Sequence, residues 1–194
     1  MPAAPGRKAR RAVPDSGDRE DPPEERARQV CLRLLTLEPR TRAQLAVALR
    51  KSGIPSHVAD DVLSRFCDAG LIDDAAFARA WVESRHYSRG LSGRALTTEL
   101  KRRGVDDEEI REAVAGLGPE AEADTARRLV AGKLAATRGQ PAQARVRRLA
   151  GMLARKGYPP GLAFRVIREA MEAEGTDVGI EEEVVFDDPF PCTE

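Results

Sequence analysis

The chain has 194 residues, 41% hydrophobic, 33% charged and only 4% aromatic, and its 32 basic and 32 acidic side chains cancel at neutral pH. No apolar run approaches the roughly 18 residues that cross a bilayer, which excludes a helical membrane span. Three scattered cysteines (Cys31, Cys67, Cys192), none in a C-x-x-C pair, argue against a disulfide framework or a cysteine zinc site. Together with an N-terminus that lacks an apolar secretory segment, they predict a cytoplasmic protein without membrane contact.

Residues 1–23, proline-containing and poor in large apolar groups, read as a disordered arm whose cluster Arg7-Lys8-Arg10-Arg11 reads as solvated, with nucleic-acid contact as the alternative. Over 24–38, Ala27, Val30, Cys31, Leu34 and Leu35 share one face of a helix. Pro39 ends it, because the residue before a proline is pushed out of the helical region. Thr41-Arg42-Ala43-Gln44 has the form of a capping box, opening a helix with Leu45, Ala48 and Leu49 on its stripe. Gly53 stops that helix, and Pro55 starts one with Val58, Val62, Leu63 and Phe66 inward. Asp73 or Asp74 caps the next, through Phe77, Ala80 and Trp81 toward Tyr87. Ser92 caps 93–103, Gly104 stops it, and Asp106-Asp107-Glu108-Glu109 opens a helix carrying Ile110 and Val114. Helices near 119–136, 141–156 and 160–173 complete the body, and 174–194, acidic and without helical periodicity, reads as a disordered tail. The fold class is all-α.

The helices repeat. Aligned on Gly53, Gly104 and Gly157, the chain places Leu four residues before each glycine (Leu49, Leu100, Leu153) and eight before (Leu45, Leu96, Leu149). Ile54, Val105 and Tyr158 follow directly, Leu63, Val114 and Ile167 stand ten residues on, and basic residues precede each glycine. A helix ended by a left-handed glycine and answered by a returning helix gives a three-helix module of about 50 residues. The predicted modules are 24–72, 73–117 and 118–173, in tandem, forming an elongated, curved molecule.

Zero net charge conceals polarity. From Glu169 to Glu194 there are ten acids and no base, whereas 1–168 carries 32 bases against 22 acids. Residues 124–168 alone hold eleven bases against Asp124. A basic body with an acidic end points to a polyanion, an anionic protein groove or an internal contact between the two. Catalytic signals are missing. His57 and His86 are too far apart for a local metal motif, and Ala131-Gly132-Lys133-Leu134 lacks the first glycine and the Ser or Thr of a phosphate loop. No catalytic residue, metal ligand or cofactor is predicted.

The block AGLIDDAAFARAWVESRHYSRGLSGRALTTELKRRGV, residues 69–105, combines G-L-I-D-D-x-x-F-A-R, R-x-x-x-x-G and G-x-x-x-L-x-x-x-L-K-x-x-G. It resembles the central module of the RecX family, regulators of the RecA recombinase, and residues 30–66 and 119–171 are similar to the family's outer modules. The resemblance implies a non-catalytic protein that lies along the groove of the RecA–DNA filament. There it modulates, and mostly inhibits, ATP hydrolysis, strand exchange and co-protease activity, in DNA repair, homologous recombination and the SOS response. Carried over by motif, Phe77, Ala78, Leu96 and Leu100 are core, Asp73 a cap, and Gly90, Gly93 and Gly104 backbone hinges or stops. Trp81, at helical spacing from Phe77, reads as core. The residues predicted to touch the RecA filament or DNA are Arg85, Arg94, Lys101, Arg102 and Arg103 in the centre, with Arg145, Arg147, Arg148, Arg155 and Lys156 in the last module. A monomer is expected. Two other classes stay open: a helical protein that binds single- or double-stranded DNA non-specifically and acts by competition, and a generic scaffold.

Overall fold

The computed structural model describes residues 21–175. Among them the helices are α1 Pro23–Leu37, α2 Arg42–Lys51, α3 Ser56–Asp68, α4 Asp74–Arg89, α5 Gly93–Arg102, α6 Asp107–Ala115, α7 Pro119–Leu134, α8 Ala142–Arg155 and α9 Pro160–Ala173. A 3-10 turn, Ala135–Thr137, prolongs α7. Residues 1–20 and 176–194, on which most of the predicted arm (1–23) and tail (174–194) falls, lie outside the described residues.

Local chemistry sets the helix ends. The Thr41 hydroxyl accepts from the Gln44 N–H, and the Gln44 side chain accepts from the Thr41 N–H, the predicted capping box. Asp73, Ser92 and Asp106 accept from the first turns of α4, α5 and α6. Gly53, Gly104 and Gly157 have φ of 72, 76 and 85°. That left-handed turn lets the N–H of Ile54, Val105 and Tyr158 donate back to the carbonyls of Leu49, Leu100 and Leu153. The repeat read from the glycines is therefore also a repeat of hydrogen bonds.

The helices pack in triples, each around its own core. Leu45, Leu49, Val62, Leu63 and Phe66 centre the first module. Ala78, Val82, Leu96, Leu100 and Ile110 centre the second, and Leu149, Leu153, Ile167 and Met171 the third. Each large side chain so buried contributes about 1.5–3 kcal/mol. The cores do not merge, so the modules stand in series as an elongated array. The stripe expected along α4 is rotated. Ala78, Val82 and His86 face inward and Ala80 is exposed. Phe77 and Trp81 stack at the edge of the core, ring centroids 5.6 Å apart.

Polar latches join the modules, and they too repeat. Twelve residues before Gly53 and before Gly104 stand Thr41 and Ser92, which cap α2 and α5. Thr41 Oγ1 donates to the Arg103 carbonyl at 2.7 Å, and the Ser92 N–H donates to the Lys156 carbonyl at 3.0 Å. The first N–H of each capped helix meets a carboxylate from the following module: Arg42 N–H donates to Asp74 at 2.9 Å, and Gly93 N–H donates to Glu122. Burial raises the Asp74 carboxyl above its usual range, and the Arg42 N–H opposes that rise. Gly93, expected as a hinge or stop, is instead the first residue of α5, where a Cβ would lie 2.8 Å from Val114.

Twelve residues before Gly157 stands Arg145, in the last module. No further module follows within the described residues, and Arg145 turns to its own module instead. Its guanidinium donates to Thr137 and pairs with Glu174, which also pairs with Arg138. Glu174, grouped with the acidic end by composition, thus closes α9 against α8. Arg145 and then Arg138 hold its carboxyl below the ordinary value of 4.5. A depressed carboxylate stabilises the fold above its unfolded titration and loses that contribution as pH falls through the folded one. Glu174→Gln is therefore expected to lower the thermal midpoint at neutral pH. The gap from the parent should shrink as pH drops below about 4.5, and a gap independent of pH would contradict this pairing.

Candidate partner-binding surface

Cations gather where modules meet. Between the first and second lies a groove of about 390 Å³ lined by Arg40, Lys51, Lys101, Arg102 and Arg103, floored by Ala43, Val47 and Gly104. Between the second and third is one of about 670 Å³ with Arg89, Arg128, Arg155 and Lys156 on its walls and Tyr87 at its rim. A third, of about 230 Å³, runs along α8 between Lys133, Arg148 and Arg155 over Leu149 and Met152. Arg155 and Met152 line both of the last two, making one continuous track. Among the described residues no carboxylate lines any of the three.

The local cause is the glycine cap. Bases before each glycine end the middle helix of a module, where helix carbonyls favour positive charge. The glycine itself docks against the preceding module, so those bases reach the junction: Lys101, Arg102 and Arg103 at one, Arg155 and Lys156 at the other. Repulsion within such a cluster is relieved by an anion, and Arg forks suit carboxylate or phosphate.

The predicted contact residues divide. Lys101, Arg102, Arg103, Arg148, Arg155 and Lys156 line the grooves. Lys101 also pairs with Asp107 at 3.0 Å, and the Lys156 ammonium donates to the Arg89 carbonyl. Arg94 and Arg147 are exposed outside these linings. Arg145 is a correction: only 5% exposed and paired with Glu174, it cannot meet a partner. Arg85 is half-buried, its guanidinium 4.1 Å above the Trp81 ring and 4.0 Å from Glu99. Arg103 sits 3.6 Å above the same ring while facing the first groove. Trp81, whose Nε1–H donates to Glu99, is thus roofed by guanidinia rather than presented to a base.

Other groove residues escaped the sequence reading. Arg40, Arg89, Arg128 and Lys133 carry the same charge, but only the packing brings them together. Tyr87, 83% exposed, directly follows the inward-facing His86, turned about 100° round the helix, and carried no signal of its own. His86 proves structural. Its Nδ1–H donates to the Leu91 carbonyl, and Nε2 accepts from the Thr125 hydroxyl at 2.7 Å, tying the second module to the third. His57 is exposed at the start of α3. Cys31 and Cys67 are free thiols, both pushed up by burial, which suppresses their reactivity. Among the described residues no helix is long and apolar enough to span a membrane, and no three His, Cys, Asp or Glu side chains are placed to hold a metal ion.

Three family profiles match the three modules in order: RecX, first three-helix domain, over 27–66; RecX, second three-helix domain, over 73–114; and RecX, third three-helix domain, over 120–167. The chain belongs to the RecX family. A regulatory protein RecX of Thermobifida fusca is 60% identical over 153 residues, 79% of this chain and 83% of that one. A regulatory protein RecX of Streptomyces coelicolor is 58% identical over 163 residues, 84% and 87% of the two chains. The crystal structure of RecX from Lactobacillus salivarius superposes with a TM-score of 0.71 at 17% identity, covering 76% of this chain and 96% of that one. Its fold is shared although few side chains are. The all-α repeat architecture and the central RecX resemblance read from residues 69–105 both stand.

Proposed function

We propose that the protein is a non-catalytic regulator of the RecA recombinase that lies in the groove of the RecA–DNA filament and restrains its ATP hydrolysis, strand exchange and co-protease activity. Membership of the RecX family gives the regulatory role. The observation that supports this mode is the recurrence, at successive module junctions, of grooves lined by cations and, among the described residues, by no carboxylate. An elongated basic array of that kind fits a long anionic groove, and a long contact reads charge at several points at once. One rod spanning several protomers acts below one copy per recombinase. Substoichiometric addition of the protein is therefore expected to suppress DNA-dependent ATP hydrolysis by RecA, and unchanged hydrolysis at equimolar protein would overturn the proposal.

Tyr87 favours a second reading. An exposed ring beside Arg89, Arg128 and Arg155 is the pairing that holds single-stranded nucleic acid by stacking and charge. On that reading the protein competes with RecA for DNA. Inhibition would then fade as DNA is added in excess, whereas inhibition through the filament would persist.

A further inference from the structure

We propose that the nineteen residues after Gly175 lie along the cationic track of the third module, over Lys133, Arg148 and Arg155, and cover it against an anionic partner. That the track meets such a partner rests on the function proposed above; the contact of the chain end with the track does not.

The path begins in the structure. Glu174, the last acid of the described residues, already pairs with Arg138 and Arg145. Arg145 donates to Thr137, and Thr137 lines the groove of Lys133, Arg148 and Arg155. The described residues therefore end within one side chain of the track. Among the described residues, none of those three cations has a carboxylate partner, unlike Arg127, which holds Glu120, Asp124 and Glu169.

Charge and reach select the occupant. Residues 176–194 contain seven acids, Asp177, Glu181, Glu182, Glu183, Asp187, Asp188 and Glu194, and no base. Extended, nineteen residues reach about 60 Å, roughly three times the length of α8 at about 1.5 Å per residue. The segment can therefore run past Arg148 and Arg155 to Arg128 and Lys156. Its Val184-Val185-Phe186 stretch has an apolar counterpart in Leu149 and Met152 on the groove floor. The other end of the chain, 1–20, carries five bases against three acids and would be repelled. Tethering beside the track gives an effective concentration on the order of millimolar, enough for weak individual pairs to compete with a partner.

A nitroxide on Cys192, in the full chain carrying Cys67→Ser, tests the contact. Cys31 is buried and escapes labelling. At low salt the amide signals of Lys133, Arg148 and Arg155 should lose at least about half their intensity while those around Leu45 keep theirs. The loss should vanish at about 0.5 M salt, where the Debye length is a few ångströms. It should also vanish when the seven acids become Asn and Gln in the full-length chain. Signals untouched by the label, or attenuated evenly over all modules, would overturn the proposal.

Coverage is read with an oligodeoxythymidylate as the anionic probe. The full-length chain with the seven amides should bind it about fivefold tighter than the parent at low salt, the two converging as salt rises. Equal affinities would overturn coverage. Failure of both chains to bind would instead sink the reading of the track as a partner surface, and coverage with it, while the labelling result stands by itself.

Discussion

Gly157→Ala should cost about 2–5 kcal/mol of stability. An alanine there must adopt the left-handed conformation, worth about 1–2 kcal/mol. Its Cβ would also lie 2.6 Å from Ser92 Oγ and 2.8 Å from Ala95 Cβ, in the junction between the second and third modules. Forcing a methyl group into such a contact adds about 1–3 kcal/mol. Gly104→Ala should behave alike, its Cβ falling 2.4 Å from that of Ala43. Gly53 supplies the control. It has the same backbone twist, but nothing lies within 4 Å of the added atom, because no module precedes the first among the described residues. Gly53→Ala should therefore cost only the conformational term of about 1–2 kcal/mol. Thermal midpoints of the three variants decide it. Equal losses at 53, 104 and 157 would mean that the glycines serve only as caps and not as docking points.

Arg148→Glu combined with Arg155→Glu should weaken retention on RecA filaments at least about tenfold, or about 1.4 kcal/mol, and relieve inhibition of ATP hydrolysis to match. Both side chains are exposed and line the track without a carboxylate partner among the described residues. Reversing them should leave the thermal midpoint within the small range of surface substitutions. Arg165→Glu with Arg168→Glu changes net charge equally on the exposed face of α9, outside these grooves. Near-normal inhibition by that pair, beside its loss in the first, would locate the contact. Equal loss in both would assign the effect to overall charge and contradict a defined surface.

The helices and their repeat were legible because their signals are local. A capping box, a glycine four residues past a buried leucine and an apolar residue straight after it specify a turn with no reference to the rest of the chain. The rotation of α4 was not legible. Phe77 and Trp81 have the most apolar surface on that helix, but they stack on each other at the core edge with Arg85 and Arg103 over the Trp81 ring, and the inward positions fall to Ala78, Val82 and His86. The cationic surface was half legible. Bases preceding the glycines marked one wall of each groove, while Arg40, Arg89, Arg128 and Lys133 join only when modules dock. Arg145 misled because a basic residue in a basic run looks like its neighbours. Nothing local says that its place in the repeat is the one that Thr41 and Ser92 fill at the earlier junctions. The second acid of Asp73-Asp74 was similarly hidden, capping a helix of the preceding module instead of its own.

Co-sedimentation with RecA filaments assembled on single-stranded DNA, against the same DNA without RecA, tests the central claim most directly. A regulator seated in the filament groove should pellet with the filaments at salt concentrations that release it from DNA alone. Recovery that is equal with and without RecA, and lost at the same salt, would contradict a filament contact and leave only competition for DNA.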